Sequence, residues 1–138
     1  DEAMFAGLVH DLGVFYLMSR AANFPEIVND KAELHGLLVG WHDSIGHALL
    51  SALGSPESIL IAVQEHEQDR EISEVKSLSD VLYVANKIAN RASAWRDPEL
   101  DGAVDTSMLE SIFDAETLAE IVEESQEEVQ SLKTALGA

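Results

Sequence analysis

A histidine and an aspartate stand side by side, His10 and Asp11, inside AGLVHDLGVFYLM (residues 6–18), a run whose other members are almost all apolar. An unpartnered charge among buried apolar side chains costs several kcal/mol, so the pair requires a partner, a metal, or an exposure that the pattern hides. His42, His66 and Asn86 raise the same question, each beside the apolar stripe of a different expected helix. Helices packed around one core can aim such residues at a common point, as divalent metal sites in bundles are assembled from His and carboxylate groups. A lone histidine on an amphipathic helix is more commonly a surface or hydrogen-bonded residue than a ligand. His47 is read that way, because its spacing from His42 points it elsewhere. His35 is read as lying at a helix end beside Gly36, where the dipole favours a cation. The spaced set His10–Asp11, His42, His66 and Asn86 is a stronger signal than any one of its members.

The elements that must position them are helical throughout, and the expected class is all-α, a multi-helix bundle without strands. Residues 3–20 predict one buried helix, bent near Gly13. A second is expected to start at Pro25 and to break or end at Gly36 and Gly40. WHDSIGHALLSALG predicts a third helix beginning at Trp41 or Asp43 and stopping at Gly54. Ser55, Pro56 and Glu57 predict the cap and first turn of the next. EQDREISEVKS reads as a loop. SLSDVLYVANKIANRASAW reads as a helix with Leu78, Val81, Leu82, Ala85, Ile88 and Ala89 on its apolar side, ended by Asp97–Pro98. A second loop, DPELDGAVDTSM, precedes a short helix through Leu109 and Ile112. The last helix takes Asp114 as cap, a stripe from Leu118 to Leu136 and Gly137 as its end. That stripe is expected to pack on its own domain, because too few heptads are present for a sustained coiled coil.

Charge excludes more than it identifies. The 138 residues carry 26 acidic and 8 basic side chains, a net charge of −18, which would repel a phosphate backbone or an anionic bilayer. Neither nucleic acid nor membrane is an expected partner. Lys76, Lys87, Arg91 and Arg96 gather in one segment, but among acidic neighbours. Hydrophobic residues at 46% fit a globular domain, and no apolar run reaches the ~18 residues that span a bilayer. The absence of cysteine excludes disulfides and thiolate-ligated zinc and fits a cytoplasmic protein. The chain opens Asp1–Glu2–Ala3 in what reads as mid-helix, and is expected to be a single domain excised from a longer protein. Residues 1–97 are its core and 98–138 a helical extension.

FAGLVHDLG resembles the signature of the HD superfamily of metal-dependent phosphohydrolases. The following stretch, ELHGLLVGWHDSIGHALLSALGSPESILIAVQEHE, resembles the HD-related output domain, HDOD, with Glu33, His42, Gly46, Leu49, Leu50, Gly54, Pro56, Glu57 and His66 in register. LSDVLYVANKIA is similar to the helix in which that family commonly has Ala-Asp. The likeness covers about residues 3–93. In the catalytic relatives it implies His10 and Asp11 as metal ligands, completed by an aspartate where this chain has Asn86, a neutral and poor ligand. The lysine that follows HD-x-G in cyclic-dinucleotide enzymes is Val14 here, and the second histidine of the family's H-H pair is Glu67. The likeness therefore implies a bacterial signal-transduction output module without catalysis, working through protein–protein contacts. Its degenerate site of His10, Asp11, His42 and His66 would be left to hold Mn2+, Fe2+ or Mg2+ weakly or to satisfy itself by hydrogen bonds, and no other cofactor is expected. The alternative is a phosphohydrolase acting on a nucleotide or cyclic dinucleotide, with Glu67 or Glu33 replacing the missing carboxylate. A structural domain dimerising through its C-terminal helix is a third possibility.

Overall fold

The computed structural model describes residues 1–89 and 95–137. These form α1 (Glu2–Val9), α2 (Leu12–Ala21), α3 (Pro25–Val28), α4 (Lys31–Ala52), α5 (Glu57–Glu65), α6 (Leu78–Ala89), α7 (Pro98–Asp101), α8 (Ser107–Ile112) and α9 (Ala115–Ala135). There is no strand among the described residues, and the class is all-α. No helix of the described residues is long and apolar enough to cross a membrane.

The single helix expected over residues 3–20 is two helices. The break falls at His10–Asp11 rather than Gly13, with Asp11 at φ −95°, ψ 14° and its carbonyl accepting the Val14 N–H at 2.9 Å to start α2. Nor is this stretch buried on every face. Ala6, Val14, Leu17 and Ala21 are inside, whereas Met4, Leu8 and Phe15 are exposed.

Gly13 has a different role from a bend. A Cβ built there would lie 1.8 Å from the His42 carbonyl oxygen and 2.8 Å from the Gly46 amide nitrogen. Here α2 and α4 touch backbone to backbone, a distance only glycine allows. That contact sets His10 and Asp11, just before Gly13, against the middle of α4.

The expected break at Gly36 and Gly40 does not occur. α4 runs through both, starting where the Asp30 carboxylate accepts from the Ala32 and Glu33 amides at 3.0 Å each. Each helical glycine costs about 1 kcal/mol against alanine. The cap and the packing of Leu34, Leu37 and Leu38 against Val14 and Leu17 outweigh that. α3 stays a separate turn ending at Val28, and Gly54, at φ +76°, ends α4 as expected. α5 opens one residue later than predicted, with Pro56 as its N-cap.

Three apolar clusters hold the helices. Ala6 packs with Leu50, Ile59, Ala62, Val63 and Leu82. Val14, Leu17 and Leu38 form a second, against which Trp95 rests. Ile72, Tyr83, Val84 and Leu109 form the third, with Phe113 and Leu118 around it. The buried side of α6 is thus Ser79, Leu82, Tyr83 and Val84, while the expected Val81, Ala85 and Ala89 are exposed. The rest of that expected helix, residues 90–94 with Arg91, lies outside the described residues.

Asp97–Pro98 begins a helix instead of ending one. Asp97 accepts from the Glu99 amide at 2.9 Å and Pro98 occupies the first position of α7, inside what the pattern marks as loop. α9 starts at Asp114, whose carboxylate accepts from the Thr117 amide at 2.8 Å, and Gly137 follows its end at φ +71°. Only the start of its stripe meets the domain. Leu118 joins the third cluster, but Val129, Leu132 and Leu136 remain 50%, 62% and 82% exposed, contrary to the expected packing.

Candidate metal centre

The four predicted residues converge. His10 caps the C-terminus of α1, Asp11 occupies the turn, His42 lies mid-way along α4 and His66 caps α5. The His10 and His66 rings stand edge-on with centroids 5.2 Å apart, and His42 and His66 likewise at 5.6 Å. His42 and His66 are essentially inaccessible to solvent.

All three rings are held in the same way. His10 Nδ1–H donates to the Gly7 carbonyl at 2.7 Å, His42 Nδ1–H to Leu38 at 2.9 Å and His66 Nδ1–H to Val63 at 2.6 Å. The carbonyls of Gly7 and Val63 lie in the last turns of their helices, where the backbone leaves acceptors free, and Leu38 offers its second lone pair. A carbonyl can only accept, so each Nδ1 carries the proton and a neutral ring has its lone pair on Nε2. Those nitrogens face inward. Neither His42 Nε2 nor His66 Nε2 has a hydrogen-bond partner among the described residues, although both are buried.

Two carboxylates complete the centre. Asp11 Oδ2 lies 3.4 Å from His10 Nε2 and accepts from Trp95 Nε1–H at 2.9 Å. Asp11 thus finds a partner beyond its neighbouring histidine, from a distant part of the chain. Glu67 Oε2 stands 3.2 Å from His42 Nε2, near enough for an ion pair but too poorly aligned for a hydrogen bond. Glu67 Oε1 is 3.9 Å from His66 Nε2 and pairs with the Arg96 guanidinium.

Arg96 also reaches Asp101 Oδ1 at 2.9 Å and covers the Trp95 ring at 4.5 Å, while Trp95 in turn lies 4.9 Å from the His42 ring. His35 is not at a helix end. It sits inside α4 with Nε2 2.9 Å from the same Asp101 oxygen.

The charges follow from these contacts. Burial works against the Glu67 carboxylate, but His42 and Arg96 outweigh it and hold its pKa at about 2. Burial also opposes charge on His42, yet Glu67 beside it raises its pKa. Glu67 lies farther from His66, at 3.9 Å, and there burial outweighs it and lowers the pKa. At neutral pH the centre therefore contains a neutral His66 with a bare, buried Nε2.

That orphaned nitrogen and its neighbours fit a divalent ion. His10, Asp11 and His66 form one group whose ligand atoms lie within 4.8 Å of one another, and His42, His66 and Glu67 form a second. His66 has only Nε2 to offer, so the two groups cannot each complete an ion at once. Three imidazoles with two carboxylates suit Zn2+, Mn2+ or Fe2+ better than Mg2+, which prefers oxygen alone.

Asn86 is half-buried in α6, and no hydrogen bond among the described residues joins it to the centre. Glu33 is exposed and takes no part. Among the described residues the basic side chains of this segment face acidic ones: Lys76 pairs with Glu74 and Lys87 with Asp69, while Arg96 faces Glu67. Trp95 and Arg96 are the residues that sequence reasoning missed. The one signal was that Asp11 needed a donor. Its identity, 84 residues away, is set by folding alone.

No family model, curated protein or solved structure matches this chain.

Proposed function

We propose that the chain is a non-catalytic signal-transduction output module of the HD-related kind, acting in the cytoplasm through protein–protein contacts, with the histidine–carboxylate centre a degenerate metal site that regulates rather than reacts. The observation that carries this reading is that both carboxylates are held by the chain's own side chains, Asp11 by Trp95 and Glu67 by Arg96. Phosphohydrolysis of the HD type needs a metal-activated water at an open position and room for a phosphate beside it. Trp95 and Arg96 stand over the centre instead. Asn86, where the resemblance expects an anionic ligand, supplies no charge. A net charge of −18 favours a protein partner with a basic surface.

A second reading, a metal-dependent phosphohydrolase for a nucleotide or cyclic dinucleotide, is favoured by one observation, the bare buried Nε2 of His66. The two separate in an assay of phosphate-ester hydrolysis with added Mn2+ or Fe2+, using nucleoside monophosphates and cyclic dinucleotides. The signalling reading expects no turnover above buffer. Turnover that disappears in both Asp11→Asn and His66→Ala would make the protein a hydrolase.

A further inference from the structure

Two adjacent side chains close the polar centre, and they arrive from outside the helices that build it. Trp95 Nε1–H donates to Asp11 Oδ2 at 2.9 Å, and Arg96 pairs with Glu67 Oε1. The residues that follow them are clamped elsewhere. Lys31 Nζ lies 2.5 Å from Asp97 Oδ2, and His35 Nε2 lies 2.9 Å from Asp101 Oδ1. Residues 97–101 are thus clipped to the first part of α4, whereas Trp95 and Arg96 reach past that clip onto the centre's two carboxylates.

Asp11 and Glu67 are also the two anionic members of the groups that fit a metal ion with His66. A carboxylate oxygen engaged by an indole N–H or a guanidinium has to lose that donor before it can serve as a ligand. A guanidinium left beside a divalent cation is then repelled by it, in a setting that screens charge poorly. Arg96 and a metal ion are alternative counter-ions for Glu67.

We propose that Trp95 and Arg96 form a latch on the histidine centre, which a divalent transition-metal cation bound by His42, His66 and Glu67 releases. The inference rests on the regulatory reading of the centre given above and names its regulation. Release leaves Arg96 its second partner, Asp101, which is itself held to α4 by His35. Trp95 packs against the cluster of Val14, Leu17 and Leu38 and lines a cleft of about 200 Å³ with Leu34 and Leu38. Its departure bares apolar surface on α2 and α4. The metal-bound state therefore presents a surface that the latched state hides, which is what a signalling module needs.

Trp41 and Trp95 are the two tryptophans, and Trp41 is exposed, so Trp41→Phe leaves Trp95 as the only indole. The full chain with that substitution, stripped by a chelator, is titrated with ZnCl2 while indole emission and heat are followed. The latch predicts a red shift of Trp95 emission that saturates with the heat, as the indole passes into water. Adding Arg96→Gln should tighten Zn2+ binding roughly tenfold or more, whereas Arg96→Lys, which keeps the charge, stays near the parent.

An emission maximum that does not move while the heat saturates overturns the latch. So do equal affinities in the parent and Arg96→Gln, or no Zn2+ heat from any variant. If Arg96→Gln does not fold, the emission of the parent decides alone. Cyclic-dinucleotide hydrolysis, assayed on the same Zn2+-loaded samples, tests the non-catalytic reading separately, since turnover would contradict that reading and leave the emission result standing.

Discussion

The crossing of α2 and α4 and the far end of α9 are built to opposite standards. At the crossing, Gly13 lets two backbones touch, and His42 and His66 are sealed beside it. Beyond Gln126, α9 leaves Val129, Leu132 and Leu136 in water, and what holds it as a helix is local: the Asp114 cap, the Gly137 stop and its own backbone ladder. The difference shows where this chain needs precision. Polar residues from three helices and a turn converge only if the backbones between them are fixed to a fraction of an ångström, whereas an amphipathic helix needs only its propensity and its ends.

The crossing is most sensitive at Gly13. Gly13→Ala places a methyl group against the His42 carbonyl, and no side chain can move aside because both contacts are backbone. We expect it to lose at least ~4 kcal/mol in urea denaturation, at the exceptional end of single substitutions. A loss under about 1 kcal/mol would mean that the close crossing is not essential.

The next largest effect belongs to Glu67. Its folded-state pKa of about 2 lies below the ordinary 4.5, so its contribution is present above pH 4.5 and disappears as pH falls towards 2. That difference corresponds to about 3 kcal/mol. Glu67→Gln should lose a similar amount at neutral pH, because Arg96 is left half-buried without its main counter-charge, and should flatten the stability profile between pH 4.5 and 2. An unchanged acid limb would show that the ion pair contributes nothing to folding.

Smaller effects sharpen the contrast from the other side. A Cβ at Gly36 or Gly40 meets nothing within 4 Å. Gly36→Ala and Gly40→Ala should each raise stability by about 0.5–1 kcal/mol through helix propensity, with no change in the centre. Smallest of all, a chain ending at Gln126 should match the full chain within ~0.5 kcal/mol, because what it lacks buries little. A large loss would show that the end of α9 is held after all.

The same three glycines explain how far the sequence could be read. A glycine in a helical pattern can break the helix, bend it, or admit a neighbouring backbone, and its own segment does not distinguish these. Gly13 reads as a bend and is a contact, while Gly36 and Gly40 read as breaks and are neither. What decides is the opposing helix, or the Asp30 cap that overrides a weak propensity. Caps and stops carry local signals, so Asp114, Gly54 and Gly137 are legible. His10, Asp11, His42 and His66 are legible as a set because each is a polar residue at an apolar stripe. Trp95 and Arg96 are not, since an aromatic and a cation ahead of Asp–Pro look like any helix end. The contacts that give them meaning are long-range.

Backbone carbonyls fix the histidine rings so that Nε2 of His66 is bare inside the protein. The ring nitrogens can be read directly, by long-range proton–nitrogen NMR correlations on uniformly labelled, metal-free protein at neutral pH. His66 should be neutral at pH 7 with its proton on Nδ1, and its nitrogen shifts should show a titration below the ordinary histidine value of 6.5. A His66 that carries its proton on Nε2, or that titrates like a free imidazole, would contradict this.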